Sequence, residues 1–197
     1  MTEIIGLQNG KNWCWLNALI QLLHSCHFDR HIECTACTSI RVLNNKCFAC
    51  IFLTAVTVQP LSTKTVEAIK TRIKKQTKDD ESLPFKVSEG IQYDPLDWLL
   101  SLIDVNQTIK LFFKKHFLVQ FAFPTACRKC NYDSESICDE FWLPLSVMDN
   151  ENVPTHINSF LKIDNEAYCE SCTGKPPLIF GDRQIRSCAN YIMLQVN

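Results

Sequence analysis

The chain has 197 residues, and 46% of them are hydrophobic, which is enough to form the core of one large domain or of two small ones. Its 20 Lys and Arg residues nearly balance its 21 Asp and Glu residues, so the sequence lacks the basic excess typical of nucleic-acid-binding proteins. It contains no run of eighteen apolar residues and no signal-peptide pattern at its start. We therefore expect neither a nucleic-acid partner nor a membrane partner.

Twelve cysteines are a high number for a sequence without a secretory signal. Eight of them form four C-x-x-C pairs: Cys34/Cys37, Cys47/Cys50, Cys127/Cys130 and Cys169/Cys172. In a reducing compartment this spacing favours zinc ligation over disulfide formation. The sequence therefore predicts an intracellular protein of the cytosol or nucleus, with structural zinc.

The first predicted element is a helix that begins at or just after Cys14. A turn-forming stretch precedes the cysteine, and apolar residues then recur at the i, i+3 and i+4 spacing of an amphipathic helix. Unpaired backbone N–H groups at a helix N-terminus favour the thiolate form of a cysteine and can stabilise an oxyanion. The pattern favours Cys14 as the nucleophile of a thiol protease, with a buried structural cysteine as the alternative.

Two further helices are predicted in the first half of the chain. The first covers residues 66–73. The second covers 94–104, where Asp94 is a suitable N-cap and Pro95 suits the first helical position.

The second half of the chain is predicted to be rich in β-structure from Lys110 onward. Aromatic or β-branched runs of strand length occur at 117–123, 141–147 and 191–196. Helices followed by strands predict an α+β fold, with a helical domain at 1–109 and a β-rich domain at 110–197.

The segment around Cys14 resembles the cysteine box of the ubiquitin-specific proteases, GLxNxGNTCYxNAxLQxL. The matching residues are Gly6, Leu7, Asn9, Asn12, Cys14, Asn17, Ala18 and Gln21. Lys11, Trp13 and Trp15 replace a glycine, a threonine and a tyrosine of the box. The resemblance implies that Cys14 attacks an isopeptide carbonyl and that Asn9 helps to hold the oxyanion.

A second segment, residues 90–99, resembles the GxQQDAHEFL box of the same family. Gln92, Asp94 and Leu99 match, and Trp98 occupies the place of the phenylalanine. The resemblance implies that Gln92 and Asp94 line the channel that grips the C-terminal tail of ubiquitin. For Asp94, a role as helix cap alone is the alternative.

Cys127, Cys130, Cys169 and Cys172 are predicted to form a structural zinc site. Each C-x-x-C turn brings two sulfurs to the same side, and two such pairs complete a closed tetrahedral site. Four unliganded buried cysteines are the alternative. The separation of the two pairs resembles that in the fingers subdomain of the ubiquitin-specific proteases.

A second zinc site is predicted at Cys34, Cys37, Cys47 and Cys50, whose spacing is equally suitable. Substitute ligands for this site lie just upstream: His24, Cys26, His27 and His31. Two further cysteines, Cys138 and Cys188, have no partner spacing and are predicted to be core residues.

A thiol nucleophile normally needs a histidine as general base. The five histidines are His24, His27, His31, His116 and His156. The first three lie on or beyond the Cys14 helix, whose rise of about 1.5 Å per residue puts the nearest one about 15 Å from the thiol. His116 is predicted to be a surface residue at a strand start, and His156 to lie in a loop.

None of these histidines has the Gly-His-Tyr setting of the ubiquitin-specific proteases. Residues 187–197 resemble the strand after which that family continues into the half of the palm that carries the histidine. We therefore expect a truncated or split form, or one that has lost catalysis.

The resemblance implies a papain-like cysteine protease fold of the ubiquitin-specific protease type, in which a helical thumb is followed by β-rich fingers and the start of the palm. The implied function is a thiol isopeptidase that hydrolyses the bond after the C-terminal glycine of ubiquitin. The expected partners are ubiquitin, or a ubiquitin-like modifier, and its conjugates. The alternatives are a non-catalytic, zinc-stapled ubiquitin-binding module, or a protease for SUMO or for a viral polyprotein.

Overall fold

The computed structural model describes residues 7, 12–28, 47–75, 83, 87–88, 91–130, 132–145, 152–163 and 167–196. The chain forms two compact units, Met1–Phe112 and Phe113–Asn197. No helix in the described part of the chain is both long and apolar enough to cross a membrane.

The first unit is helical. Its elements are α1 (Cys14–Ser25), α2 (Phe48–Thr57), α3 (Thr63–Lys74), α4 (Pro95–Val105) and the start of α5 (Gln107–Phe117). The predicted helices after Cys14, over 66–73 and over 94–104 are confirmed as α1, α3 and α4. Helix α2 packs against α1 and α3, and α1 also packs against α4.

Helix α5 contradicts the prediction that β-structure begins at Lys110. Ile109, Phe112 and Phe113 are almost completely buried, and their spacing places them on one helical face. The helical period of these side chains therefore prevailed over the preference of aromatic residues for strands. The first strand begins only at Val119.

The second unit combines strands with one helix. Its elements are β1 (Val119–Cys127), β2 (Asp133–Glu140), β3 (Trp142–Leu145), α6 (Val153–Leu161), β4 (Leu178–Phe180), β5 (Gln184–Cys188) and β6 (Met193–Val196). The predicted strands are confirmed as β1, β3 and β6, with shifted ends.

Strand β1 is the centre of the main antiparallel sheet. It pairs with β2 along its length on one side, and with β5 and then β4 on the other. Its buried face presents Val119 and Phe121, which pack with Leu143 of β3 and with Phe160 and Leu161 of α6. A parallel pair, β3 with β6, forms a second sheet.

Four side chains of the second unit differ from expectation. His116 is buried within α5, and His156 is buried within α6 instead of lying in a loop. Both residues follow the helical periodicity of their neighbours, which the short sequence windows did not reveal. Cys188 is exposed on β5, where every residue is exposed, and Cys138 is only half-buried on β2.

We predict that Gly181→Ala destabilises the protein by about 1–3 kcal/mol, because a Cβ at this position would lie 2.7 Å from Cγ of the rigid Pro124 ring. Urea unfolding measures the change. In a Pro124→Ala background the ring carbon is gone, so the same substitution should cost clearly less. An equal cost in both backgrounds would contradict this explanation.

Candidate active site and metal centre

Cys14 is the first residue of α1 and is half-buried. Asn12, two residues earlier, has a φ of 61°, which asparagine tolerates better than most residues. Trp13 precedes the helix without a side-chain capping bond. The predicted position of the thiol at a helix N-terminus is therefore confirmed, and the turn before it uses the left-handed region.

The structure brings Gln92 to Cys14. The Gln92 Nε2 atom donates a hydrogen bond to the Cys14 Sγ atom over 3.4 Å, although 78 positions separate the two residues. The amide belongs to the segment that leads into α4, and it is exposed. The two sequence boxes therefore meet at the sulfur atom of Cys14.

Aromatic packing joins the same two segments. The ring of Trp15 lies 5.8 Å from the ring of Tyr93 and 5.4 Å from that of Trp98, both in edge-on arrangements. Trp13 stacks on Trp15 at 6.0 Å, and the Lys74 ammonium lies 5.7 Å from the Trp13 ring. We call Trp13, Trp15, Tyr93 and Trp98 the aromatic cluster.

Trp13 and Trp15 depart from the cysteine box, whereas Trp98 occupies the place of a phenylalanine in the second box, and no role was predicted for Tyr93. The packing of the two boxes could have been predicted from the large aromatic residues that both of them contain. Coupled replacements of this kind indicate two segments that pack against each other.

Asp94 caps helix α4. Its Oδ1 atom accepts hydrogen bonds from the backbone N–H groups of Leu96 at 2.7 Å and Asp97 at 3.3 Å, and Pro95 stands at the first helical position. The predicted cap is confirmed. A contact of Asp94 with a substrate tail stays a prediction.

Neither histidine described in the first unit is close to Cys14 along α1. His24 lies ten residues further on, which corresponds to about 15 Å of helix. Its Nε2 atom is 3.2 Å from the Val58 carbonyl oxygen, and the His27 Nδ1 atom is 3.1 Å from the Gln59 amide nitrogen. Both rings are therefore held at the far end of the helix.

Asn9, the predicted oxyanion donor, and His31, a predicted substitute ligand of the second zinc site, lie outside the described residues. His116 and His156 belong to the second unit. The described part of the first unit thus joins the Cys14 thiol to the Gln92 amide and places no described histidine beside them.

The second unit contains a four-sulfur centre formed by Cys127, Cys130, Cys169 and Cys172. Cys127 Sγ lies 3.9 Å from Cys172 Sγ, and Cys130 Sγ lies 3.8 Å from Cys169 Sγ. All four sulfurs lie within 4.8 Å of one another, and they could hold a metal ion. Tetrahedral bonds of about 2.3 Å, as in zinc–thiolate sites, require sulfur separations of about 3.8 Å.

Two tight turns build this centre. The first connects β1 to β2, and the Cys127 N–H group closes it by donating to the Tyr132 carbonyl at 3.0 Å. The second is closed by the Cys169 N–H group, which donates to the Pro176 carbonyl at 2.8 Å. The pairing of β1 with β4 places Cys127 opposite Leu178, so the two turns lie side by side.

Three of these thiols, those of Cys127, Cys169 and Cys172, differ in acidity. Backbone N–H groups of Lys129 and Cys130 donate to the Cys127 sulfur and lower the pKa of its thiol to about 7. Contact with Cys130, followed by burial, raises the pKa of Cys172 to about 12, and burial raises the pKa of Cys169. One thiolate forms easily and further ones only with a compensating cation, so metal binding here must release protons.

The predicted second quartet is only partly described. Cys47 caps helix α2, and its sulfur accepts a hydrogen bond from the Cys50 N–H group at 3.5 Å. Both residues are half-buried. Cys34 and Cys37 lie outside the described residues, so the second zinc site stays a prediction.

The fold is similar to solved structures of a deubiquitinating (DUB) module. A chain of the SAGA Ubp8/Sgf11/Sus1/Sgf73 DUB module bound to ubiquitin aldehyde matches with a TM-score of 0.67 and 18% identity, over 97% of this chain and 46% of that one. The module bound to monoubiquitin gives 0.68 and 17%, over 97% and 47%. A further structure of the Ubp8-Sgf11-Sgf73-Sus1 module gives 0.63 and 16%, over 98% and 45%.

These likenesses show that the chain has an α+β fold of the ubiquitin-specific protease type. It spans just under half the length of the chains that it matches. No protein-family model and no curated protein matches the sequence.

We predict that Asp94→Ala lowers stability by about 1 kcal/mol, because α4 loses its N-terminal acceptor. Asp94→Asn keeps a side-chain oxygen acceptor and should lower stability by only a few tenths of this amount. The comparison distinguishes the effect of the capping hydrogen bond from that of the carboxylate charge. Urea unfolding of both variants gives the comparison. A loss in the Asn variant as large as in the Ala variant would show that the carboxylate charge matters more than the cap.

Proposed function

We propose that this chain is the nucleophile-bearing part of a thiol isopeptidase that acts on ubiquitin conjugates. The contact between Gln92 and Cys14 carries the proposal, because it unites both sequence boxes at one sulfur atom. The fold likeness supports the same conclusion, since the matching structures include modules bound to ubiquitin aldehyde and to monoubiquitin.

In the proposed reaction, Cys14 attacks the carbonyl carbon of the C-terminal glycine of ubiquitin, and the bond from that carbon to the amine nitrogen breaks. Cys14 is the first residue of α1, and backbone N–H groups at a helix N-terminus can stabilise a developing oxyanion. Asn9 is the proposed oxyanion donor of the cysteine box, and Gln92 and Asp94 are proposed to grip the ubiquitin tail. Asp94 is suited to this role because its carboxylate is already fixed by the helix cap.

The general base is proposed to come from outside the Cys14 unit. His24 and His27 are engaged with Val58 and Gln59 at the opposite end of α1. A non-catalytic ubiquitin-binding module is the second candidate function. It is favoured by the position of His24 and His27 at the end of α1 away from Cys14. The two candidates differ in whether Cys14 turns over a substrate.

The four-sulfur centre is proposed to hold one structural zinc ion. Its separations of 3.8 and 3.9 Å suit a tetrahedral thiolate site, and four sulfur ligands leave no position for water. We further propose a reducing compartment, the cytosol or the nucleus, because a zinc site of four thiolates requires its cysteines to stay reduced.

Protein kept reduced should contain at least one zinc ion per chain. Cys130→Ser should release it and lower stability by about 4 kcal/mol or more, because metal binding and folding of the two turns are coupled. Elemental analysis and urea unfolding provide the two measurements. Cys188→Ser, which alters an exposed thiol outside the quartet, serves as control and should keep the zinc. Absence of stoichiometric zinc in the unmodified protein would contradict the proposal.

Residues 1–197 alone should hydrolyse a fluorogenic amide of the ubiquitin C-terminus about 10²–10⁴-fold more slowly than an enzyme with a positioned general base, because no histidine described in the Cys14 unit lies beside the thiol. Supplying a histidine-bearing segment that completes the fold, in cis or as a second chain, should restore turnover. Cys14→Ala should abolish the restored activity. Efficient hydrolysis by the 197 residues alone would show that one of their five histidines is the base.

A further inference from the structure

The amide of Gln92 is the one side-chain group that hydrogen-bonds to the Cys14 sulfur within the described part of the chain. The separation of 3.4 Å between Nε2 and Sγ suits an N–H donor to sulfur. An N–H donor facing sulfur stabilises the thiolate more than the thiol, because the negative charge strengthens the bond. This observation concerns the reacting atom itself and is separate from any contact with a substrate tail.

The neighbours of both residues fix this arrangement. Trp15 follows Cys14, and Tyr93 follows Gln92, and these two rings are in contact at 5.8 Å. The Tyr93 hydroxyl oxygen also accepts a hydrogen bond from the Ser88 N–H group at 2.9 Å. On the other side of Tyr93, Asp94 holds the start of α4. The backbone at Gln92 is therefore held through the neighbouring Tyr93, and the Gln92 amide donates to the Cys14 sulfur.

We propose that Gln92 is a catalytic hydrogen-bond donor, which stabilises the Cys14 thiolate before attack and the oxyanion after it. In the first half-reaction the sulfur lone pair forms the S–C bond, and the carbonyl π electrons move to the oxygen. That oxygen is separated from the sulfur by only two bonds, so a small rotation of the amide brings its N–H group from one to the other. The oxyanion part rests on the proposed function, whereas the thiolate part does not.

The exposed position of Gln92 is consistent with this role. A donor that bonds first to the sulfur and then to the oxyanion must be able to rotate. The Gln92 side chain is exposed, whereas the neighbouring Tyr93 is held by its contact with Trp15. Removal of a single oxyanion donor typically costs about 10²–10³ in rate, so the effect is measurable.

The test uses Gln92→Glu, which keeps the shape of the side chain and replaces its donor by a carboxylate. The matched control is Ile91→Ala in the same exposed segment. The rate at which iodoacetamide alkylates Cys14 at neutral pH is followed by mass spectrometry of the Cys14 peptide. We expect the Glu variant to react at least about threefold more slowly. The introduced carboxylate lowers the fraction of Cys14 present as thiolate by a larger factor than it raises the nucleophilicity of each thiolate. The control should react as the unmodified chain does.

Gln92→Asn is a second variant, whose amide is one methylene too short to reach the sulfur, and it should also be slower. Thermal unfolding checks that each variant is folded. Alkylation of both folded variants at the unmodified rate, or faster, would overturn the proposal. Reduced alkylation together with an unchanged melting temperature supports it.

A parallel measurement determines the affinity for ubiquitin aldehyde. The Cys14 thiolate adds to the aldehyde carbonyl, and the resulting oxyanion takes a proton from water to give a hemithioacetal. We expect the Glu variant to bind the aldehyde about 10²-fold more weakly than the unmodified chain does. If the unmodified chain forms no adduct but the alkylation difference persists, the proposed function fails and the donor role of Gln92 stands. If the unmodified chain forms the adduct and neither measurement changes in the variants, the donor role fails and the function stands.

Discussion

The candidate active site depends on the packing of Trp15 between Tyr93 and Trp98. These contacts connect the start of α1 to the segment before α4, and they place the Gln92 amide beside the Cys14 sulfur. Trp98 also contacts Phe48 and Phe52 of α2, each at 6.2 Å, so the aromatic cluster extends into the core of the unit. Each aromatic pair contributes about 0.5–1.5 kcal/mol beyond the area that it buries. The geometry at the sulfur is thus maintained by apolar packing of the neighbouring residues.

This packing buries polar N–H groups of the tryptophan side chains. Within the described residues, the indole N–H groups of Trp13, Trp15 and Trp98 are buried without a hydrogen-bond partner. Each such group costs about 1–3 kcal/mol relative to a hydrated one. Burial of a tryptophan ring offsets a cost of this size, because aromatic side chains bury about 150–250 Å² each. Tryptophan in place of smaller box residues therefore leaves indole N–H groups without partners among the described residues. In return, the larger rings pack the two boxes firmly against each other.

Local chemistry was predictable from the sequence, and non-local partners were less so. The helix after Cys14 follows from its apolar spacing, and the Asp94 cap depends only on residues of the same turn. The spacing of the cysteines within each C-x-x-C pair was sufficient to predict the four-sulfur centre. The contact of Gln92 with Cys14 is tertiary, so periodicity could not reveal it; the sequence boxes had suggested only a contact of Gln92 with substrate. Helix α5 and the burial of His116 were missed because aromatic composition was given more weight than helical spacing.

Cys14 and the cysteines of the four-sulfur centre have different surroundings. Cys127 is surrounded by three other sulfurs and by backbone N–H donors, so a cation there gains a complete tetrahedral shell. Among the described residues, Cys14 belongs to no group of three metal-binding side chains, and its sulfur faces an amide donor. An amide N–H group stabilises a thiolate as a hydrogen-bond donor, but it repels a cation. The contact with Gln92 therefore disfavours metal binding at the Cys14 sulfur, in agreement with the separate role proposed for this thiol.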